Sequence, residues 1–200
     1  MKRQQILFLI SIILLISCTQ TNKFSEEDYE WIPYKGNETL VFKSNTKEVD
    51  TIFILRKDTS VSYAEPQSVN GTKHEVISIF CKHSDSNMPD GKHRYLKNNF
   101  FQIEKTKDNR TEINILLKAK DAKFYRLSLI NIDSLNKENA STLETQYGQY
   151  KDVFVISAED YLGNLKQRSN FVTKVYWSKS SGLIRYDKKD NIYWELAKKW

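Results

Sequence analysis

The sequence predicts an all-β domain, and three observations support this. Short runs of apolar or alternating residues recur from residue 31 to residue 200, as in β-strands. Turn-forming pairs such as Asn70-Gly71 and Asp90-Gly91 separate these runs at the spacing of hairpins. The chain has only three prolines and six glycines, and no linker or repeat divides residues 31–200. This pattern favours one domain.

The candidate strands follow one another with polar turns between them. We expect about eleven short strands. They are drawn from twelve candidate segments, at residues 38–43, 51–56, 60–64, 74–82, 99–104, 112–117, 123–129, 142–145, 150–156, 171–177, 183–186 and 192–196. Residues 157–170 are ambiguous, because Ser157 and Asp160 have the spacing of a helix cap whereas Gly163-Asn164 interrupts the pattern.

The connections between candidate strands indicate the topology. Nearly all of them are short enough for hairpins, so the sheet is expected to be antiparallel and meandering. A sheet of this size has to protect its edges. We therefore expect it to curl into a barrel or half-barrel, or to fold as a two-sheet sandwich.

The first eighteen residues have the order of a secretory signal. Residues 1–3 are a basic start, and residues 6–16 form an apolar run broken only by Ser11. Such a run is short of the roughly 20 residues that span a bilayer. Residues 1–17 are therefore expected to be a signal peptide that is removed, with Cys18 directly after the cut.

The end of this segment, Leu15-Ile16-Ser17-Cys18, resembles the lipobox of bacterial lipoproteins. The resemblance implies that Cys18 is lipidated and anchors the chain to the bacterial cell envelope, with the outer membrane favoured, on its periplasmic or cell-surface side. Residues 18–30 then form a polar tether. Its acidic cluster at residues 26–28 fits either a solvated linker or a surface-sorting signal.

Three further pieces resemble small lipoproteins of Bacteroidota-type bacteria. They are residues 31–45, residues 147–155, and the hairpins at residues 176–186 and 193–196. The resemblance implies a lipid anchor, an envelope location and an all-β domain over residues 31–200. It implies no activity and no site residues.

Charge and cysteine content narrow the classes of partner. The chain has 31 basic and 25 acidic residues, a net charge of +6. Removal of the signal with Lys2 and Arg3 leaves about +4. Because the charges are interleaved and no basic block occurs, nucleic acid is not an expected partner. Once Cys18 carries lipid, Cys81 is the only remaining cysteine and cannot form an internal disulfide.

No stretch has the pattern of a catalytic or cofactor site. The candidate metal ligands lie close together in the sequence: His74, Cys81, His83 and His93. Strand parity places only Cys81 and His83 on one face, so no metal site is expected. Residues 85–91 lack the oxygen spacing of a calcium loop. Since activated-serine and phosphate-loop motifs are also missing, we expect a non-enzymatic protein without a cofactor.

Aromatic residues near the two ends of the domain provide the candidate binding residues. Adjacent residues on a strand face opposite sides of the sheet, as Tyr176 and Trp177 would, and likewise Tyr193 and Trp194. One member of each pair is therefore expected on the less buried face. We expect a binding module that contacts an envelope protein or a glycan through aromatic side chains. The candidates are Trp31, Tyr34, Trp177, Tyr186 and Trp194.

Three alternatives to this interpretation stay open. The aromatic residues could instead pair across strands and stabilise the sheet. A curved sheet could carry an apolar ligand, which requires an apolar lining that the protein's own side chains do not fill. An envelope hydrolase is the third alternative, and it would gain support if His83, His93 and a carboxylate met in one pocket.

Overall fold

The computed structural model describes residues 21–63, 71–83, 99–117, 119 and 121–200. The signal peptide, Cys18, His93 and residues 85–91 lie outside this part of the chain. The strands within it are β1 Thr21–Asn22, β2 Thr39–Ser44, β3 Val49–Tyr63, β4 Lys73–His83, β5 Asn99–Lys105, β6 Thr111–Ile115, β7 Lys123–Phe124, β8 Ile130–Asn131, β9 Ser141–Thr145, β10 Gly148–Ser157, β11 Phe171–Ser178, β12 Gly182–Lys188 and β13 Tyr193–Lys199. Two short helices, α1 Glu26–Tyr29 and α2 Ile132–Lys137, and a 3₁₀ turn at Leu165–Gln167 accompany them.

These strands form one sheet with the order β8-β6-β5-β4-β3-β2-β13-β12-β11-β10-β9. Every pairing along this path is antiparallel. Off the path, β1 lies parallel to β4 and β7 lies parallel to β11. The path consists of two meanders, β2–β8 and β9–β13, which join where β13 pairs with β2. The predicted antiparallel, meandering sheet is confirmed.

The sheet is curled into a half-barrel, and one aromatic contact measures the curl. Phe101 is on β5 and Trp177 is on β11, six positions apart in the strand order. In a flat sheet that separation would be about 28 Å. Their rings instead stack with centroids 4.5 Å apart. The concave inner face therefore closes on itself and holds the core, while the outer face meets solvent.

The longest hairpin corrects one expectation. Residues 51–56 and 60–64 were expected to be two strands, but Val49–Tyr63 is a single strand of 15 residues. Its register against β4 shifts between Ile54 and Arg56. A β-bulge absorbs the extra residue, so the strand bends there and continues.

The segment expected to be a polar tether is part of the domain from Thr21 onward, which is a second correction. Thr21–Asn22 pairs with the start of β4, and Phe24 is buried in the core. Helix α1 begins with a capping box between Ser25 and Asp28. Asp28 then forms an ion pair with Lys105 at 2.9 Å. The helix cap and the contacts with distant strands thus hold this segment in the domain despite its polar composition.

Two further segments differ from the sequence-based assignment. The strand expected at residues 123–129 is only two residues long, because its parallel pairing with β11 ends at Phe124. The ambiguous residues 157–170 contain just the 3₁₀ turn, and Asp160 accepts a hydrogen bond from its first amide, Leu165 N, at 2.8 Å. Helix α2 was not predicted; Asn131 caps it by accepting from Ser134 N.

Candidate functional site

The five aromatic binding candidates lie in the core and not on the surface. Trp31, Tyr34, Trp177, Tyr186 and Trp194 are each at most 2% exposed. This corrects their expected role, because a side chain without solvent exposure cannot contact a separate partner in this structure. The parity argument itself holds, since Tyr176 and Tyr193 are the partly exposed members of their pairs.

Tyr34 shows how these aromatic residues fill the half-barrel. Its ring packs edge-on against Phe100 and Trp177, with centroids 5.7 and 5.9 Å away. Its hydroxyl accepts a hydrogen bond from Leu183 N at 2.9 Å. Trp31, in the same segment, packs on Phe154 with ring centroids 4.8 Å apart. The segment before β2 therefore occupies the concave side, and the interior is lined by side chains that fill it, contrary to what an apolar carrier requires.

The outer face of β11–β13 carries a closed polar network around Arg185. The guanidinium donates to Asp187 at 2.7 Å and to Glu195 at 3.3 Å. It lies over the rings of Tyr193 and Tyr176, at 4.0 and 5.2 Å from their centroids. Hydrogen bonding to Asp187 and the surrounding negative charges outweigh burial and raise the pKa of Arg185. Each charged group in this network already has a hydrogen-bond partner within it, so the network stabilises the sheet.

A cleft opens where the two ends of the curled sheet approach each other. It has a volume of about 400 Å³, within the range of ligand sites. One wall is the end of β10, and the other is β8 with α2. We call it the seam cleft, defined by its lining residues: Arg126, Leu129, Ile130, Asn131, Ser134, Leu135, Glu138, Val155, Ile156 and Ser157.

The β10 wall of the seam cleft is an unpaired strand edge. Ala158 N donates to Thr173 O, and Lys179 N donates to Asp152 O, so the even-numbered residues of β10 bond to β11. The backbone groups of Val155 and Ser157 therefore point to the opposite side. There β9 ends at its pairing with Val153, and no strand of the described chain pairs with residues 154–157 on that side.

Side chains close one end of this edge. Arg126 donates to Ser157 O at 3.0 Å and forms an ion pair with Glu159 at 3.1 Å. Backbone amides of Leu127 and Ser128 also donate to Glu159, and these bonds with the charge of Arg126 lower the pKa of its carboxyl despite some burial. The Ser157 carbonyl is thus satisfied. The Val155 N–H and C=O and the Ser157 N–H remain directed into the cleft.

The sequence contained a signal for this edge that the aromatic pattern obscured. The predicted strand at 142–145 is shorter than its predicted hairpin partner at 150–156. A short strand paired with a longer one leaves the far end of the longer strand without a partner on that side. The opposite wall gave no such signal, since β8 is two residues long and α2 one and a half turns.

A buried polar cluster lies apart from the seam cleft, on the inner face. His83 on β4 is hydrogen-bonded through its Nε2 to the carboxyl group of Asp50 on β3. Burial, together with the Asp50 carboxylate, raises the pKa of Tyr186 on β12 well above its ordinary value. The three side chains are almost fully enclosed. In the described ranges no three His, Cys, Asp or Glu side chains are grouped to hold a metal ion.

Comparisons with protein-family models, curated proteins and solved structures find no match to the chain. Across the described residues, none of the helices is both long and apolar enough to cross a membrane.

Proposed function

We propose that this chain is a lipid-anchored protein of the bacterial cell envelope that binds an extended segment of a partner protein. The segment lies in the seam cleft and adds to β10 as a further strand. The lipobox-like sequence ending at Cys18 supports the anchor. The observation that supports the binding mode is the unpaired edge at Val155 and Ser157.

The backbone groups of this edge match the chemistry of an extended peptide. An antiparallel strand residue opposite Val155 would accept from its N–H and donate to its C=O, and the Ser157 N–H would take a second carbonyl. Leu129 and Val155, both exposed, flank these polar groups and offer apolar contact to alternate side chains. Main-chain bonds give affinity in this mode, while such flanking contacts give selectivity.

The lining of the seam cleft favours a peptide over the other occupants considered. None of the residues that line it is aromatic, so a sugar ring would find no stacking platform there. An apolar ligand would leave the backbone groups of Val155 and Ser157 desolvated and unbonded, at a cost of about 1–3 kcal/mol each. Hydrolysis is not supported by the cleft either, because Ser134 and Ser157 have no histidine beside them in the lining.

This proposal can be tested by amide hydrogen exchange, measured on the full lipidated protein in detergent. The experiment requires no known partner. The Val155 and Ser157 amides should exchange faster than those of Phe154 and Ile156, which bond to β11. An immobilised library of extended hexapeptides then supplies probes. A peptide that binds in the seam cleft should slow exchange at Val155 and Ser157 and leave the other strands unchanged.

Two substitutions at one position make the test specific. Val155→Pro removes the N–H that faces the cleft but no bond to β11, so the domain should stay folded and lose peptide binding. Val155→Thr keeps the N–H and the strand preference, and should keep binding. Equal binding by both variants, or protection confined to other strands, would contradict strand addition at this edge.

A further inference from the structure

The first described residues fix how the domain stands relative to its anchor. Only Thr19 and Gln20 separate Cys18 from Thr21. Three Cα–Cα steps span at most about 11 Å. If Cys18 carries lipid, as the proposed function holds, Thr21 lies within about 11 Å of the lipidated residue at the bilayer surface.

Thr21 is not the end of a flexible arm. It pairs with Lys73 at the start of β4. The next side chain, Asn22, donates to the carbonyls of Thr106 and Lys107 at 2.8 and 3.1 Å. Phe24 N then donates to Glu75 at 2.8 Å. Because the chain is bound to the sheet from Thr21 onward, the anchor holds one end of the sheet near the bilayer.

That end of the sheet carries side chains suited to a membrane–water interface. Lys73 is paired with Thr21 on one side and with Tyr63 on the other. Tyr63 therefore lies two strand spacings, about 10 Å, from Thr21. Tyr63 is 38% exposed and Val61, on the same face of β3, is 54% exposed. The Lys73 ammonium lies 5.3 Å from the centre of the Tyr63 ring. Tyrosine and lysine have apolar bodies and polar tips that fit the headgroup region.

We propose that the short connection to Cys18 holds the outer end of the β3–β4 hairpin, defined by Val61, Tyr63 and Lys73, against the lipid bilayer. The opposite end of β3 stands away from the membrane, since 15 residues of strand extend over about 45 Å.

Fluorescent probes at the two ends of β3 test this orientation. Tyr63→Cys marks the proposed membrane end, and Lys47→Cys marks the turn before β3. Cys81 is buried, so it stays protected from a thiol-reactive dye added to the folded protein. Each variant is prepared in its lipidated form, verified by mass spectrometry, and inserted into phosphatidylcholine vesicles that contain headgroup-labelled quencher lipid. These vesicles carry no net charge, so the exposed Glu26 and Glu27 do not bias the result.

Quenching of the probe at position 63 should exceed quenching at position 47 several-fold. An insertion of about ten Gly and Ser residues between Gln20 and Thr21, with a mean span of about 17 Å, should reduce the quenching at 63. Equal quenching at both positions, stronger quenching at 47, or no effect of the insertion would overturn the proposed orientation. Absence of lipid on Cys18 would overturn both the orientation and the anchor, whereas peptide binding in the seam cleft is measured separately.

Discussion

Tyr176 and Trp177 are neighbours on β11, yet they contribute to the structure in different ways. Trp177 lies on the inner face, fully buried, and stacks on Phe101 across the half-barrel. Tyr176 lies on the outer face, where its hydroxyl donates to Asp187 at 2.8 Å and its ring lies beside Arg185. The next pair repeats this division, with Trp194 inside and Tyr193 outside.

The difference shows that the aromatic residues on the two faces of β11 and β13 have different structural roles. Inside, the indole Nε1 groups of Trp177 and Trp194 have no hydrogen-bond partner within the described structure, so these side chains act as apolar volume. Outside, Tyr176 and Tyr193 position a charged side chain between their rings. We expect the inner face to contribute most of the free energy of unfolding, and the outer face to contribute a smaller part.

The largest expected effect comes from truncating the inner member of the first pair. Trp177→Ala removes a fully buried ring and leaves a cavity beside Phe101, which should lower the free energy of unfolding by about 3–5 kcal/mol. Tyr176→Ala is the matched control on the outer face and should cost about 1–2 kcal/mol. Urea unfolding followed by circular dichroism measures both. Equal losses would contradict the division between the faces.

A smaller effect is expected where β12 begins, against the ring of Tyr34. Gly182 has a φ of +83°, and a Cβ placed there would lie 2.2 Å from the Tyr34 hydroxyl oxygen. Gly182→Ala should therefore destabilise the domain by about 2–4 kcal/mol, through backbone strain and overpacking. Gly148→Ala is the control, since nothing lies within 4 Å of its added Cβ. The thermal midpoint of Gly148→Ala should stay close to that of the wild type. A similar loss of stability in both variants would mean that contact with Tyr34 is not what destabilises Gly182→Ala.

The strands could be predicted because their signal is local. Alternation along the chain identifies β5, β6 and β11 within a residue or two, and it assigns Tyr176 and Trp177 to opposite faces. Alternation does not say which of two aromatic residues is buried. That outcome depends on Phe101, which reaches Trp177 only because the sheet curls. The binding candidates were therefore assigned to the wrong face.

Non-local contacts also explain what was missed at the N-terminus. Ser25 and Asp28 have the spacing of a capping box, which is visible in the sequence. The acidic character of residues 26–28 nevertheless favoured a solvated tether. The burial of Asp28 against Lys105 depends on β5 lying beside this segment, which short-range patterns do not reveal. The seam cleft was missed for the same reason, since its walls are β10 and α2.

The smallest expected effect concerns the outer face alone and depends on pH. Burial, the hydrogen bond to Asp187 and the charge of Asp187 raise the pKa of Tyr176 to about 12, although Arg185 opposes this. An unfolded tyrosine titrates near 10. Because the folded pKa is the higher one, the contribution of this group to stability should be complete below about pH 10 and should be lost as the pH rises toward 12.

Tyr176→Phe isolates that contribution, because the ring beside Arg185 remains and only the hydroxyl is removed. The variant should lose about 1 kcal/mol of unfolding free energy at pH 7, a modest amount because the group is partly solvated. The difference from wild type should narrow above pH 10. Tyrosine-selective ¹³C NMR should show a resonance that titrates near pH 12 in the wild type and is missing from the variant, while the late titration of buried tyrosines such as Tyr186 is retained in both. A variant as stable as the wild type at pH 7 would mean that Tyr176 acts through packing, as the inner face does, and not through its hydrogen bond to Asp187.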